Sequence, residues 1–217
     1  MRHVSHELKT PLASLREGAE LLADQVTGHL SQQQLEIVQI VRENGIELQR
    51  LIENLIDYNR LPTQELHFEK LDLNSLWRDL LAQYRLSIDK KALQVSVNGS
   101  AQHWVADKAR LKTSLDNLLS NAINYTPERG RVEIVWRTQG DALLIDVANS
   151  GEPIPQHDTE RVFEPFFQSI AKRNGPIKGS GLGLSVARDC IEAQGGSLTM
   201  AKHPVLPINF RLLCPTH

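Results

Sequence analysis

The chain has 217 residues, with 24 Lys and Arg against 26 Asp and Glu, for a formal net charge of −2. That balance leaves no basic excess for a phosphate-rich polymer and argues against nucleic-acid binding. Hydrophobic residues make up 41 % and charged residues 23 %, a globular composition, and no apolar run reaches the roughly 20 residues that cross a bilayer. Aromatics are only 5 %, so aliphatic side chains must fill the core. Cys190 and Cys214 form no CxxC pair, which predicts two buried reduced thiols rather than a zinc site.

Residues 1 to about 61 read as wholly helical. Val4, Leu8, Leu12, Leu15, Ala19, Leu22 and Val26 recur at spacings of three and four, an amphipathic stripe. Thr27, Gly28 and His29 interrupt it. Ser31 is placed to cap a second helix carrying Leu35, Val38, Val41, Leu48, Leu51, Ile52 and Leu55, which Pro62 ends. One such hairpin cannot bury both stripes. A second copy solves this with a four-helix bundle, which predicts a homodimer.

The remainder mixes helices and strands. Asn74 is a candidate cap for a helix from Ser75 to about Lys90, and Leu93, Val95 and Val97 alternate as a strand. Asp107 is a candidate cap for a helix running to Tyr125, stopped by Thr126-Pro127. Val132, Ile134, Trp136 and Leu143, Ile145, Val147 alternate on either side of a Gly140-Asp141 turn. A loop region from Ser150 to Ser180 follows, with a short helix near Thr159 to Phe163. A helix from Leu184 to Gln194, ended by Gly195-Gly196, precedes strands near 197–201 and 208–214. Three helices and about five strands predict an α+β layer domain.

Within the first helix, His6 lies about 165° from the centre of the apolar stripe, so it is not a bundle-core histidine. An exposed histidine alone is usually only surface. Pro11, however, sits inside the helical pattern, withholds an N–H from the carbonyl of Glu7 and loosens the backbone beside His6. Glu7 is placed to orient an imidazole proton, and the Thr10 hydroxyl lies one turn along the same face.

The stretch His6-Glu7-Leu8-Lys9-Thr10-Pro11-Leu12 resembles the H-box of two-component sensor histidine kinases of the HisKA type. The resemblance implies that His6 attacks the γ-phosphate of ATP and passes the phosphoryl group to an aspartate of a cognate response regulator. It also implies dephosphorylation of that regulator, with Thr10 beside the reacting group.

A second set of residues concerns nucleotide. On the Lys108–Tyr125 helix, Leu111, Leu115, Leu118 and Ala122 form one face, and Arg110, Asn117, Asn121 and Asn124 a narrow opposite stripe. Asparagine is a poor helix former, and a row of amides suits a hard cation holding phosphates. A merely solvated polar face fits the helix taken alone. Asn117-Leu-Leu-Ser-Asn121-Ala-Ile-Asn124-Tyr125 resembles the N-box of the GHKL superfamily, which implies that Asn117 and Asn121 face Mg²⁺ and Tyr125 lies near adenine. Asn124 stands where the family usually has a cation.

Ile145-Asp146-Val147-Ala148-Asn149-Ser150-Gly151-Glu152-Pro153 falls at the family's G1 box, with Asn149 in place of its adenine-binding aspartate and Pro153 in place of a glycine. The Asn149 amide oxygen can still accept a bond from the adenine amino group, without the strengthening of charge. Arg161 to Phe167 resembles the F-box, read as three phenylalanines anchoring a loop to the core. Gly179-Ser180-Gly181-Leu182-Gly183-Leu184 resembles the G2 box, whose glycines let backbone N–H groups approach phosphates. Between them, Lys172, Arg173 and Lys178 read as lid cations that can replace the one absent at Asn124, or as a solvated charge run.

The expected organisation is therefore a dimerisation and histidine phosphotransfer domain over 1–65 and an ATP-binding domain of Bergerat type over 66–217. Expected catalytic residues are His6, Glu7 and Thr10. Expected nucleotide contacts are Asn117, Asn121, Tyr125, Asn149, Gly151, Lys178, Gly179, Gly181 and Gly183, with ATP and Mg²⁺ as ligands. The family implies a sensory domain and membrane helices upstream, making this a cytoplasmic fragment, without membrane contact of its own, of a protein anchored in the bacterial inner membrane. Two other classes share part of the pattern. One is a GHKL ATPase working as a conformational clamp, as gyrase relatives do; the other is a non-catalytic dimeric docking module.

Overall fold

The structure is a computed structural model that describes residues 2–26, 28–60, 65–169 and 181–216, with the backbone path alone over 2–10 and 50–60 and at 16, 43 and 47. It divides into two compact units, Met1–Asn59 and Arg60–His217.

The first unit is a pair of helices, α1 (Arg2–Ala23) and α2 (Gln32–Arg60). α1 runs through Pro11 without ending. Ser31 opens α2 as predicted. Its N–H donates to Gln34 Oε1 (2.8 Å), and the Gln34 N–H donates to Ser31 Oγ (3.3 Å). This reciprocal pair satisfies two of the donors that a helix start leaves over. The apolar stripe of α1 splits. Leu12 and Ala19 are buried, whereas Leu15 is 61 % exposed and Leu22 and Val26 are also exposed. On α2, Ile37, Ile40, Val41 and Leu48 are exposed too. One hairpin thus leaves a broad apolar surface in water, as the sequence predicts.

The second unit opens with β1 (Phe68–Asp72), α3 (Leu73–Lys90), β2 (Gln94–Gly99) and β3 (His103–Asp107). There follow α4 (Lys108–Tyr125), β4 (Arg131–Gln139) and β5 (Ala142–Asn149). Two 3₁₀ turns follow, Gln156–Asp158 and Arg161–Phe163, of which only the second falls within the short helix predicted near Thr159 to Phe163. α5 (Gly183–Glu192), β6 (Ser197–Met200) and β7 (Ile208–Pro215) complete it. The sheet has the order β2-β4-β5-β7-β6, with β2 and β4 parallel and the other pairs antiparallel. This is the α+β arrangement expected.

β1 and β3 are a departure from the sequence reading. They pair as a separate antiparallel ribbon from Phe68 opposite Asp107 to Asp72 opposite His103. Only Leu71 of β1 is buried, so the strand carries no alternation to detect. The ribbon also moves the start of α3. Asp72, not Asn74, is the cap, and its Oδ1 accepts from the N–H groups of Asn74 (2.9 Å) and Ser75 (3.2 Å).

One hydrophobic cluster joins the three helices to the sheet, with Trp77, Leu80, Leu111, Leu115 and Leu118 against Ile134, Ile145, Phe210 and Leu212. The Trp77 and Trp136 rings stack at 6.1 Å, and the Trp136 indole N–H donates to the Ala101 carbonyl (2.7 Å). Gly99 is required beside them, because a Cβ there would fall inside the Trp136 indole. Cys190 and Cys214 are buried and not joined in a disulfide. Burial pushes the Cys214 thiol up to about 11, against a smaller opposite effect of the Trp104 indole. Among the described residues, no helix is long and apolar enough to cross a membrane.

Candidate active site

α4 is the spine of the site. The Asp107 carboxylate caps it, accepting from the Arg110 N–H at 3.0 Å. The helix is buried almost all round. Arg110 and Asn117, predicted on a polar stripe, are 5 % and 6 % exposed. Periodicity finds the face of a helix but not what covers it. Here α5 lies against α4, and the Ser114 hydroxyl sits 2.9 Å from the Ala187 carbonyl of α5.

This packing joins two motifs distant in sequence. The Asn117 amide donates to the Thr113 carbonyl (3.0 Å), which turns its Oδ1 outward. A Cβ on Gly183 would lie 2.9 Å from that oxygen. Gly183 therefore lets the start of α5 approach an acceptor that can hold a cation. The Leu182 cap position supplies no side-chain cap hydrogen bond, and the start of α5 presents first-turn N–H groups of the kind that receive anions. Asn121 and Asn124 are half-buried. Asn124 donates to Ser120 Oγ (3.2 Å), a bond within its own helix.

At the other end of α4, Thr126 closes the helix by donating from Oγ1 to the Ala122 carbonyl (2.6 Å). Lys91 then donates from Nζ to the carbonyls of Ile123 (2.8 Å), Asn124 (3.1 Å) and Thr126 (3.0 Å). An ammonium placed there meets the negative end of the helix dipole. Lys91 carried no sequence signal, because two strands and a helix separate it in sequence from the residues it fixes. Lys91→Met is expected to lower unfolding free energy by about 2 kcal/mol, the scale of a charged hydrogen bond. Urea titration checks this, and an unchanged midpoint would show that the carbonyls are satisfied without it.

The helix end meets the end of β5. A Cβ on Gly151 would lie 2.7 Å from the Tyr125 carbonyl and 2.8 Å from Asn149 Nδ2. Asn149 is 1 % exposed, and its Nδ2 has no hydrogen-bond partner among the described residues. An unpaired buried donor costs about 1–3 kcal/mol. The nearby Asp146 cannot serve in place of Asn149. Strand alternation puts it on the opposite face of β5, where it accepts from Arg211 Nε (2.8 Å) and Nη2 (3.1 Å) and from Asn209 Nδ2 (3.0 Å).

The F-box is partly as predicted. Phe163 is in the core, edge-on to Phe210 at 5.9 Å, and Phe167 packs beneath Arg161, whose guanidinium carbon is 4.3 Å from the ring centre. Phe166 is a correction: it is 67 % exposed and lies outside the hydrophobic core. It adopts a left-handed φ of 65° and donates its N–H to the Gly181 carbonyl (3.0 Å). Gly181, with φ of 72°, is where a Cβ would strike the Phe166 backbone. Arg188, not foreseen, lies 3.9 Å from the Phe163 ring centre. Lys172, Arg173, Lys178 and Gly179 lie outside the described residues, as do the side chains of His6, Glu7 and Thr10.

Residues 1–64 match HisKA, the His Kinase A (phospho-acceptor) domain. Residues 106–213 match HATPase_c, the histidine kinase-, DNA gyrase B- and HSP90-like ATPase. Over its full 217 residues the chain is 43 % identical to the sensor histidine kinase GlrK of Escherichia coli strain K12, and covers 46 % of that protein. The chain thus spans about half the length of the curated relatives it matches. Full-length ShkA in complex with AMPPNP superposes with a TM-score of 0.77 at 25 % identity, covering 99 % of this chain and 45 % of that one. Histidine kinase ThkA, solved in complex with response regulator protein TrrA, shares the fold, with a TM-score of 0.69 at 24 % identity over 100 % of this chain and 60 % of that one. The H-box, the amide-bearing α4 set against Gly183 at the start of α5, and these likenesses agree: the chain belongs to the sensor histidine kinases, is of a GlrK-like type, and carries their phospho-acceptor and ATP-binding domains.

Proposed function

We propose that this chain autophosphorylates on His6 with MgATP and passes the phosphoryl group to an aspartate of a response regulator. The observation that carries the reading is the meeting of Asn117 Oδ1 with Gly183 at the uncapped start of α5. It sets a cation-holding amide beside N–H groups suited to phosphate. The phospho-acceptor part is assigned to 1–65 and the ATP-binding part to 66–217.

His6 acts from a neutral ring nitrogen. As the N–P bond forms, the bond between the γ-phosphorus and its bridging oxygen breaks, and ADP departs with that electron pair. Glu7 holds the proton of the other ring nitrogen and stabilises the positive charge that develops. Asn117 and Asn121 would hold Mg²⁺ through their amide oxygens, and the ion would offset the charge of the phosphates. Tyr125, Asn149 and Gly151 surround the base. Gly179, Gly181 and Gly183 admit the phosphates, with Lys178 offsetting their charge. Thr10, a hydroxyl one turn from His6, positions water for dephosphorylation of the regulator rather than acting as a base. The exposed apolar residues of α1 and α2 support a homodimer, and ThkA with TrrA supports a receiver domain as partner. In the whole protein, segments beyond this chain supply the inner-membrane anchor.

Incubation with γ-labelled ATP tests the reading. Label that is lost in acid and kept in base is expected, the mark of phosphohistidine. ATP bound without any label would point to a clamp ATPase instead, and failure to bind ATP to a docking module.

A further inference from the structure

We infer that Asn149 reads the purine 6-position with both ends of its amide, so that this chain accepts 6-oxopurine nucleoside triphosphates as well as ATP. The inference rests on the reading that the end of β5 faces the nucleotide base. Asn149 is 1 % exposed and its Nδ2 has no partner among the described residues, so the side chain holds a buried donor with nothing to donate to. Gly151, where a Cβ would stand 2.8 Å from that nitrogen, keeps the space beside it clear. Tyr125 and the closed end of α4 lie on the same side, through the Tyr125 carbonyl at 2.7 Å from the Gly151 Cβ position.

An amide offers one acceptor oxygen and two N–H donors on adjacent atoms. Adenine offers an amino donor at C6 and an acceptor at N1. Asn149 Oδ1 and Nδ2 match those two in one orientation. Hypoxanthine and guanine reverse the pattern, with an acceptor at O6 and a donor at N1. A half-turn about the terminal torsion of Asn149 reverses the amide to match, and that torsion is broad and nearly two-fold. A carboxylate has no such freedom. It is acceptor-only when ionised, so an oxygen held at the 6-position pairs with the adenine amino group and opposes O6, and it reaches the N1–H of a 6-oxopurine only by shifting along the base edge. Asp146, the carboxylate three residues before, is held on the opposite face by Arg211 and Asn209 and cannot restore the discrimination. A purine bound at the end of β5 satisfies the unpaired Nδ2 donor.

ITP is the chosen probe, because hypoxanthine differs from adenine at the 6-position and N1 alone. Competition against a fluorescent ATP analogue gives the dissociation constants of ATP and ITP for the whole chain. ITP is expected to bind within about tenfold of ATP, since one neutral pair of hydrogen bonds replaces another. ITP weaker by more than that overturns the inference and leaves the ATP reading standing. Failure of ATP itself to bind overturns both. Asn149→Asp, checked for folding by its melting curve, is expected to weaken ITP by at least about tenfold relative to ATP. An unchanged ratio in the folded variant would remove Asn149 from base reading, and the wild-type ratio decides the matter if that variant does not fold.

Discussion

His6→Gln is expected to abolish acid-labile phosphate on the chain and to leave ATP affinity within about twofold. Glutamine keeps the polarity and approximate reach of the side chain but has no nucleophilic ring nitrogen. The nucleotide residues lie in the other compact unit, and independent sites usually perturb each other by less than about 0.5 kcal/mol. Asn121→Ala is expected to do the reverse. It should weaken MgATP by about tenfold, the scale of one charge-assisted contact, and preserve the helical unit. Scintillation counting of acid- and base-treated protein reads the first loss, and calorimetric titration with MgATP reads the second. Full labelling of the His6 variant would place the acceptor elsewhere.

Asp107→Ala is expected to give the largest loss of stability, about 3–5 kcal/mol. One carboxylate oxygen accepts from the Arg110 N–H (3.0 Å) and the other from the His67 N–H (3.0 Å). The Arg110 guanidinium lies 4.0 Å away, and both side chains are nearly excluded from water. Alanine removes a helix cap, about 1 kcal/mol, and a carboxylate that faces a buried guanidinium, about 3 kcal/mol. The Asp107 N–H also donates to Gln194 Oε1 (2.7 Å), which the substitution retains. Asp107→Asn keeps a cap oxygen and loses the charge, so it should fall between alanine and wild type. Calorimetry is expected to show a melting point lower by roughly 10 °C for alanine. A loss under about 1 kcal/mol would mean that the Arg110 charge does not depend on Asp107.

Much of this was legible in the sequence because periodicity and caps are local. The alternation of Val132, Ile134 and Trp136 against Leu143, Ile145 and Val147 gave the hairpin, and Asp107 and Ser31 gave helix starts. What escaped depends on neighbours distant in sequence. β1 has one buried residue because it edges a ribbon, so its pattern is polar. Arg110 shares a helical face with Asn117, but its burial follows from packing that the face does not encode. The F-box reading assumed that every phenylalanine is inside, whereas a left-handed backbone turns Phe166 out. Asn117 and Gly183 were each identifiable, but their contact follows from how α4 and α5 pack.

The alternation of β5 also bears on how this site can change. Asp146 and Asn149 stand on opposite faces, three positions apart. No drift of the strand brings the carboxylate into the place of the amide without also turning Val147 out of the core. The codons for asparagine and aspartate, in contrast, differ by a single base. The charged residue of the wider family is one nucleotide substitution away at position 149 and out of reach from everywhere else on the strand. Base preference in this lineage can therefore be altered in one genetic step, without disturbing the sheet.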